Sequence, residues 1–187
     1  MLSPRVLSCV LPVLGCQGTD TSKAVPTPTK KSEIEVLDAT KSVVARVVPG
    51  HPCRATVDGV ELLVGGRPLI AQIGADRWTG EDAENGTTLR KNDQIVARIY
   101  ANQLFDPNGI PILRVLENGD IADKANAVVR KAVAASDHVT LAASSGTINS
   151  FTVTGTTDVA IAAMLTARET VPEVRALAGC HYLLEPP

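Results

Sequence analysis

From Cys53 onward, apolar and polar residues alternate in short runs broken by pairs of turn residues. Asp58-Gly59 and Gly65-Gly66 separate Cys53–Val57, Val60–Val64 and residues 67–73, which predicts a three-stranded antiparallel meander. Pro68 has no backbone donor and belongs at an edge or a strand start. Residues 94–101 alternate in the same way, with Ile95, Ala97 and Ile99 on one face and Val96, Arg98 and Tyr100 on the other. The turn Asp106-Pro107-Asn108-Gly109 leads into 110–116, which ends at Asn118-Gly119. His138–Ala143 and 148–155 read as paired strands around Ser144-Ser145-Gly146-Thr147.

Other segments follow a longer period. Ser32-Glu33-Ile34-Glu35 fits a capping box, and Leu37, Val44 and Val48 continue a loose helical spacing. The β-branched run over 42–48 fits a strand equally well, and the balance leans to strand. Residues 74–92 form a polar stretch that predicts a long loop, holding Trp78 and the acidic run Glu81-Asp82-Ala83-Glu84. Asp120 can cap a helix whose apolar stripe is Ile121, Ala125, Val128, Val129, Ala132 and Val133. Thr157 caps a second helix to about residue 170, and Pro172 opens a third that carries Cys180 near its end. Strands first and helices mostly last predict an α+β fold, an antiparallel β-meander followed by C-terminal helices. The alternative is a mainly β sandwich or barrel with peripheral helices.

Composition narrows the functional classes. The chain has 187 residues, with 18 basic against 20 acidic side chains and a formal charge of −2. That balance lacks the basic footprint of a nucleic-acid binder or of a polybasic membrane-surface protein. Aromatic residues make up only 3% of the chain, so platforms for stacking bases or sugars are scarce.

The first sixteen residues have one basic side chain, Arg5, an apolar run over 6–14, then Gly15-Cys16. This is the layout of a secretory signal. As a helix the run would extend roughly 14 Å, about half of a bilayer core, too short to span it. Val13-Leu14-Gly15-Cys16 resembles the lipobox of bacterial lipoproteins, although the common pattern has Leu first and a smaller residue second. The resemblance covers these residues alone. It implies a signal over 1–15, cleavage before Cys16, and diacylation of that cysteine, with enough buried methylene for a stable anchor. By the same resemblance, Gln17 rather than Asp after the cysteine favours outer-membrane sorting in a Gram-negative cell, against a secreted or periplasmic alternative. Residues 17–31 are polar, with Pro26 and Pro28 and almost nothing to bury, so 16–31 reads as a lipidated cysteine plus tether. A single globular domain over 32–187 follows.

On that reading Cys9 leaves with the signal and Cys16 is acylated, which leaves Cys53 and Cys180 for the domain. In an oxidising compartment such a pair is expected to form a disulfide, stabilising by about 4–5 kcal/mol in the chain-entropy model. Because His51 and His181 flank these cysteines, a zinc site of His51, Cys53, Cys180 and His181 is the competing reading, although neither half has the usual ligand spacing. A catalytic Cys-His pair is a third.

No complete catalytic constellation is present in the sequence. Asp137 and His138 are neighbours, expected to point apart, and Ser144 lacks a nucleophile elbow. The run Glu81-Asp82-Glu84 does not match an EF-hand loop, and Gly65-Gly66 lacks the Lys-Ser/Thr of a P-loop. Trp78, the only tryptophan, is either a binding hot spot or a cap on the sheet core. The expected function is that of an envelope lipoprotein acting as an interaction or structural module, membrane-held, with a protein partner and no cofactor. A periplasmic enzyme or metal-binding protein is the alternative, and a soluble cytoplasmic protein with reduced cysteines a third.

Overall fold

Each strand of this chain pairs with its neighbours in sequence, and the first pairs with the last. The structure, a computed structural model, describes residues 33–84, 86–145 and 150–184. The signal over 1–15, Cys16 and the tether to residue 31 lie outside the described residues, as does the turn at 146–149. The strands are β1 (Ile34–Asp38), β2 (Val43–Val48), β3 (Cys53–Val57), β4 (Val60–Val64), β5 (Leu69–Ile73), β6 (Asp76–Ala83) and β7 (Gly86–Lys91). They continue with β8 (Gln94–Tyr100), β9 (Gln103–Phe105), β10 (Pro111–Val115), β11 (Ile121–Asp123), β12 (Val128–Ala134), β13 (His138–Ala143) and β14 (Phe151–Thr154). All are antiparallel, in one 14-stranded sheet. Val36 pairs with Val153 and Asp38 with Phe151, which joins β1 to β14. The ring is nearly closed: between β4 and β5 there is one bridge, Gly65 to Ile70, with N···O distances of 2.9 and 3.2 Å.

One face of each strand is buried. Cys53, Ala55 and Val57 face inward on β3, Leu62 and Val64 on β4, Leu69 and Ala71 on β5, and Phe151 and Val153 on β14. Outward positions hold Arg46, Arg54, Glu61, Arg77, Glu81, Arg90, Arg98 and Lys131. Water, not lipid, suits that outer face, since a membrane-spanning barrel is apolar outside. The strands also have at most eight residues, where a tilted span needs about 9–11. No helix among the described residues is long and apolar enough to cross a membrane.

The interior is filled by two helices, α1 (Val159–Leu165) and α2 (Pro172–Leu184). A helix on a surface buries one stripe. Here every residue from Ala160 to Leu165 and from Val174 to His181 is buried, more than two full turns of α2 covered on all sides. A barrel of about eight strands is filled by its own side chains, whereas more strands enclose more space. The helices occupy that space, α2 against β2, β3, β4 and β8 and α1 against β10 and β13. The two helices approach closely because Gly179 has no side chain; a Cβ there would lie 2.6 Å from Leu165 Cδ2.

The molecule is therefore mostly antiparallel β with two short helices, and the barrel alternative fits better than α+β. The helix expected from Asp120 is replaced by β11, a turn and β12. Asp123 Oδ1 accepts the amides of Ala125 (2.8 Å) and Ala127 (3.0 Å), and Asn126 takes a positive φ of 63°, which breaks any helix there. A helix at this point would also leave β10 and β13 each with one edge unpaired. The long loop over 74–92 is instead the hairpin β6–β7. Its charged residues face outward while Trp78, Thr79, Gly80, Thr87 and Leu89 are buried. The capping box at Ser32 to Glu35 precedes a strand, not a helix, and 42–48 contains β2, as the β-branched run favoured. The strand expected over 67–73 starts at Leu69, and Asp158 rather than Thr157 caps α1, accepting from Ala160 N at 2.7 Å.

Tight turns hold the meander together. Asp58-Gly59, Asn92-Asp93 and Ala101-Asn102 have positive φ at both residues, the mirror-image turn whose twist suits a hairpin. Gly155 does more: at φ 79° its Cα approaches the chain entering β1 so closely that a Cβ would lie 1.9 Å from the Glu33 carbonyl oxygen. Gly155→Ala is expected to push β14 from β1, costing about 2 kcal/mol or more. Thermal unfolding should show a melting temperature lower by roughly 5 °C; an unchanged value would show that the closure tolerates a side chain.

Candidate functional site

Because the chain zigzags, its hairpin turns fall on two rims. One rim carries residues 65–68, 101–102 and 135–137, and there the chain passes from β14 into α1. The other carries 58–59, 92–93, 106–110 and 124–127. The helical pair enters at the first rim, reverses through residues 166–171 at the second, and returns, so the C-terminal end of α2 is back at the first.

At the first rim Cys53 of β3 and Cys180 of α2 form a disulfide with Cα atoms 5.9 Å apart. Both cysteines are fully buried, so the bond ties the C-terminal helix to the barrel wall. Beside it, at the weak β4–β5 junction, Arg67 Nη1 donates to both oxygens of Asp82 at 2.9 and 2.8 Å. Thr87 Oγ1 donates to Asp82 Oδ1 at 3.1 Å and lies 3.4 Å from His181 Nδ1; Arg67 Nη2 donates to the His181 carbonyl at 3.4 Å. These residues come from the β4–β5 turn, β6, β7 and α2, and they fasten the junction where the backbone ladder is thinnest. Burial raises the Asp82 pKa, but the hydrogen bonds from Arg67 and Thr87 and the Arg67 charge outweigh it, and the carboxyl ends below its ordinary value of 3.8.

The second rim is held by buried arginines. Arg175 of α2 pairs with Asp58 in the β3–β4 turn. Arg130 of β12, 2% exposed, points inward, 3.4 Å from Thr166 Oγ1 and 3.8 Å from Glu169. Its guanidinium also lies 5.5 Å from the centre of the Phe151 ring. Burial pushes the Arg130 pKa down, which Glu169 opposes and Arg168 reinforces.

Between the helical turn and the hairpin tips of this rim are two adjacent open depressions of about 430 and 440 Å³. They share Asp106, Ile112 and Glu169. Trp78, Val96, Val171 and Val174 line the first, and Ile110, Pro111 and Val129 the second. The acidic side chains around them are Asp106, Asp123, Glu169 and Glu173, and the basic ones Lys91 and Lys124. Lys91 is engaged by Asp76 at 2.7 Å and lies 5.5 Å from the Trp78 ring centre. Hydrogen bonds from Lys91 and Asn92 hold the Asp76 carboxyl below its usual range. Asp106 and Asp123 each turn Oδ1 back to amides of their own hairpin, Asn108 and Ile110 for Asp106. Both carboxylates are thereby fixed on the rim. The arrangement offers an apolar, aliphatic floor beneath a net negative edge.

The residues singled out in sequence are scattered. Trp78 is a core residue of β6, 3% exposed, forming cleft floor and core together. The zinc set is not assembled: both sulfurs are joined in the disulfide, His51 is exposed in the β2–β3 turn and His181 is buried among Arg67 and Thr87. The described residues hold no group of three or more His, Cys, Asp or Glu able to bind a metal. Asp137 and His138 meet at 2.7 Å instead of pointing apart, but both are solvent-facing and Ser144 is six residues further along the strand direction, about 20 Å. Glu81 and Asp82 engage Arg90 and Arg67 respectively, from opposite faces of a strand. Sequence reasoning missed the cleft, because its lining comes from six strands, β6, β7, β8, β10, β11 and β12, from two hairpin turns and from the helical turn with the start of α2. The Asp at the start of each turn was its one local signal. No protein-family model, no curated protein and no solved structure matches this chain.

Two outcomes follow. Asp82 has a lowered pKa when folded, so the stability it contributes is present above its unfolded value, about 4, and lost as pH falls through the folded one. Asp82→Asn should melt lower at pH 7 and lose less than wild type between about pH 5 and 3; parallel pH profiles would remove Asp82 from the junction's stability. Trp78→Ala deletes a buried side chain and should cost about 3–5 kcal/mol, read as a large fall in chemical-denaturation midpoint; a midpoint within error of wild type would mean that the indole is not part of the core.

Proposed function

We propose that this protein is a lipid-anchored interaction module of the bacterial cell envelope, held to the membrane through Cys16 and meeting a protein partner at the Trp78 cleft. The observation that carries the reading is the cleft itself: apolar side chains, including Ile110 at 52% and Val171 at 50% exposure, gathered by a rigid scaffold at the rim where the helical pair reverses. Sites built this way, on turns fixed by a packed framework, are where binding surfaces concentrate. The compartment has separate support. The Cys53–Cys180 disulfide fits an oxidising environment, and the Val13 to Cys16 pattern with its polar, proline-containing tether fits a lipid anchor ahead of a folded domain. A charged outer wall suits a domain held beside the membrane, not within it.

Mass spectrometry of the protein from its native membrane tests the reading. The expected result is an N-terminus at Cys16 bearing acyl chains, together with a peptide pair linked through Cys53 and Cys180. An unprocessed Met1 with free thiols would overturn it.

A further inference from the structure

Resting on that reading of the cleft, we propose that its occupant is an extended polypeptide segment in which aliphatic side chains alternate with lysine or arginine. Charge complementarity argues for the basic residues. Four carboxylates, Asp106, Asp123, Glu169 and Glu173, border the two depressions, against Lys91 and Lys124. Lys91 is paired with Asp76 at 2.7 Å and Glu169 lies 3.8 Å from the buried Arg130, both partners outside the lining, which leaves Asp106, Asp123 and Glu173 against Lys124. A net negative edge around an apolar floor repels nucleic acids and acidic peptides and attracts a cationic chain.

The shape argues for a chain over a compact small molecule. Two open depressions share a wall that carries Ile112, with carboxylates Asp106 and Glu169 beside it. An extended segment sends alternate side chains to one side, so two aliphatic side chains can enter neighbouring depressions while the intervening basic ones, directed away from the floor, bend their long stems back to the rim carboxylates. The exposed apolar side chains Ile110 and Val171 stand at opposite sides of the site, one in the β9–β10 turn and one in the helical turn. Covering both requires a ligand that spans the pair of depressions.

The only tryptophan of the chain is in the floor, so its emission reports occupancy. The full disulfide-bonded protein is titrated with acetylated, amidated peptides (Leu-Lys)4, (Leu-Glu)4 and (Ser-Lys)4. The expected result is a saturable change in Trp78 emission with (Leu-Lys)4 alone, weakened by added salt. Val171→Ser, at an exposed position of the helical turn, and Glu173→Gln, at a half-buried position in the first turn of α2, should each weaken binding about two- to fivefold with an unchanged melting temperature. Equal binding of (Leu-Glu)4, or affinity undiminished in both variants, would overturn the proposal, as would silence towards all three peptides. The processing of Cys16 is read independently by mass, so failure of this titration leaves the envelope placement standing and failure there leaves the peptide result standing.

Discussion

The constraint on which the rest depends is the closure of an antiparallel meander whose interior is wider than wall side chains can fill. Pairing of β1 with β14 brings residues more than a hundred positions apart into register. Once the sheet curls so far, the space inside must be occupied, since empty volume costs both lost transfer energy and lost dispersion contacts. The helical pair supplies the occupant. This explains why most of its buried positions, Arg175 and His181 apart, are small or apolar, with Ala160, Ala162, Ala163, Ala176, Ala178 and Gly179 permitting close approach to each other and to the wall.

Wall and filling are fastened at both rims by different chemistry. At the entry rim a buried disulfide and the Arg67–Asp82–Thr87–His181 network hold the end of α2 to the junction where the sheet has its single bridge. At the other rim the buried cations Arg130 and Arg175 reach from wall to helical turn and from helix to hairpin. Removing one partner from such a pair is more damaging than the pair is stabilising, because an uncompensated buried charge remains. The polar contacts thus specify which end of the helical hairpin belongs to which rim. The cleft is a by-product of that arrangement, since the helical turn meets the hairpin tips without covering the apolar residues between them.

Much of the sheet was legible locally. Asp58-Gly59 and Asp106 to Gly109 adopt the turns that their residue types demand, and Cys53–Val57, Val60–Val64 and His138–Ala143 alternate with strand period. The failures have a common cause. At 120–133 the apolar positions satisfy a helical stripe, but Asp123 captures two amides of the following turn and the neighbouring strands need partners. At 74–92 the hairpin is polar because its outer face meets water and its inner face includes Gly80, leaving little apolar alternation to read. Of the site, Trp78 stands out in the sequence as the only tryptophan, but its role as floor depends on packing against distant elements.

What the sequence by itself determined were the elements written in short-range chemistry: turns set by Asp, Asn and Gly, strands set by alternation, and the start of the last helix set by Pro172. Those choices involve residues within a few positions of each other. The tertiary structure alone decided that the meander closes, that the helices lie within it, and that Trp78, Asp106, Ile112, Glu169 and Val171 share one cleft. These are matters of curvature and enclosed volume, summed over fourteen strands, and no local window of the chain contains them.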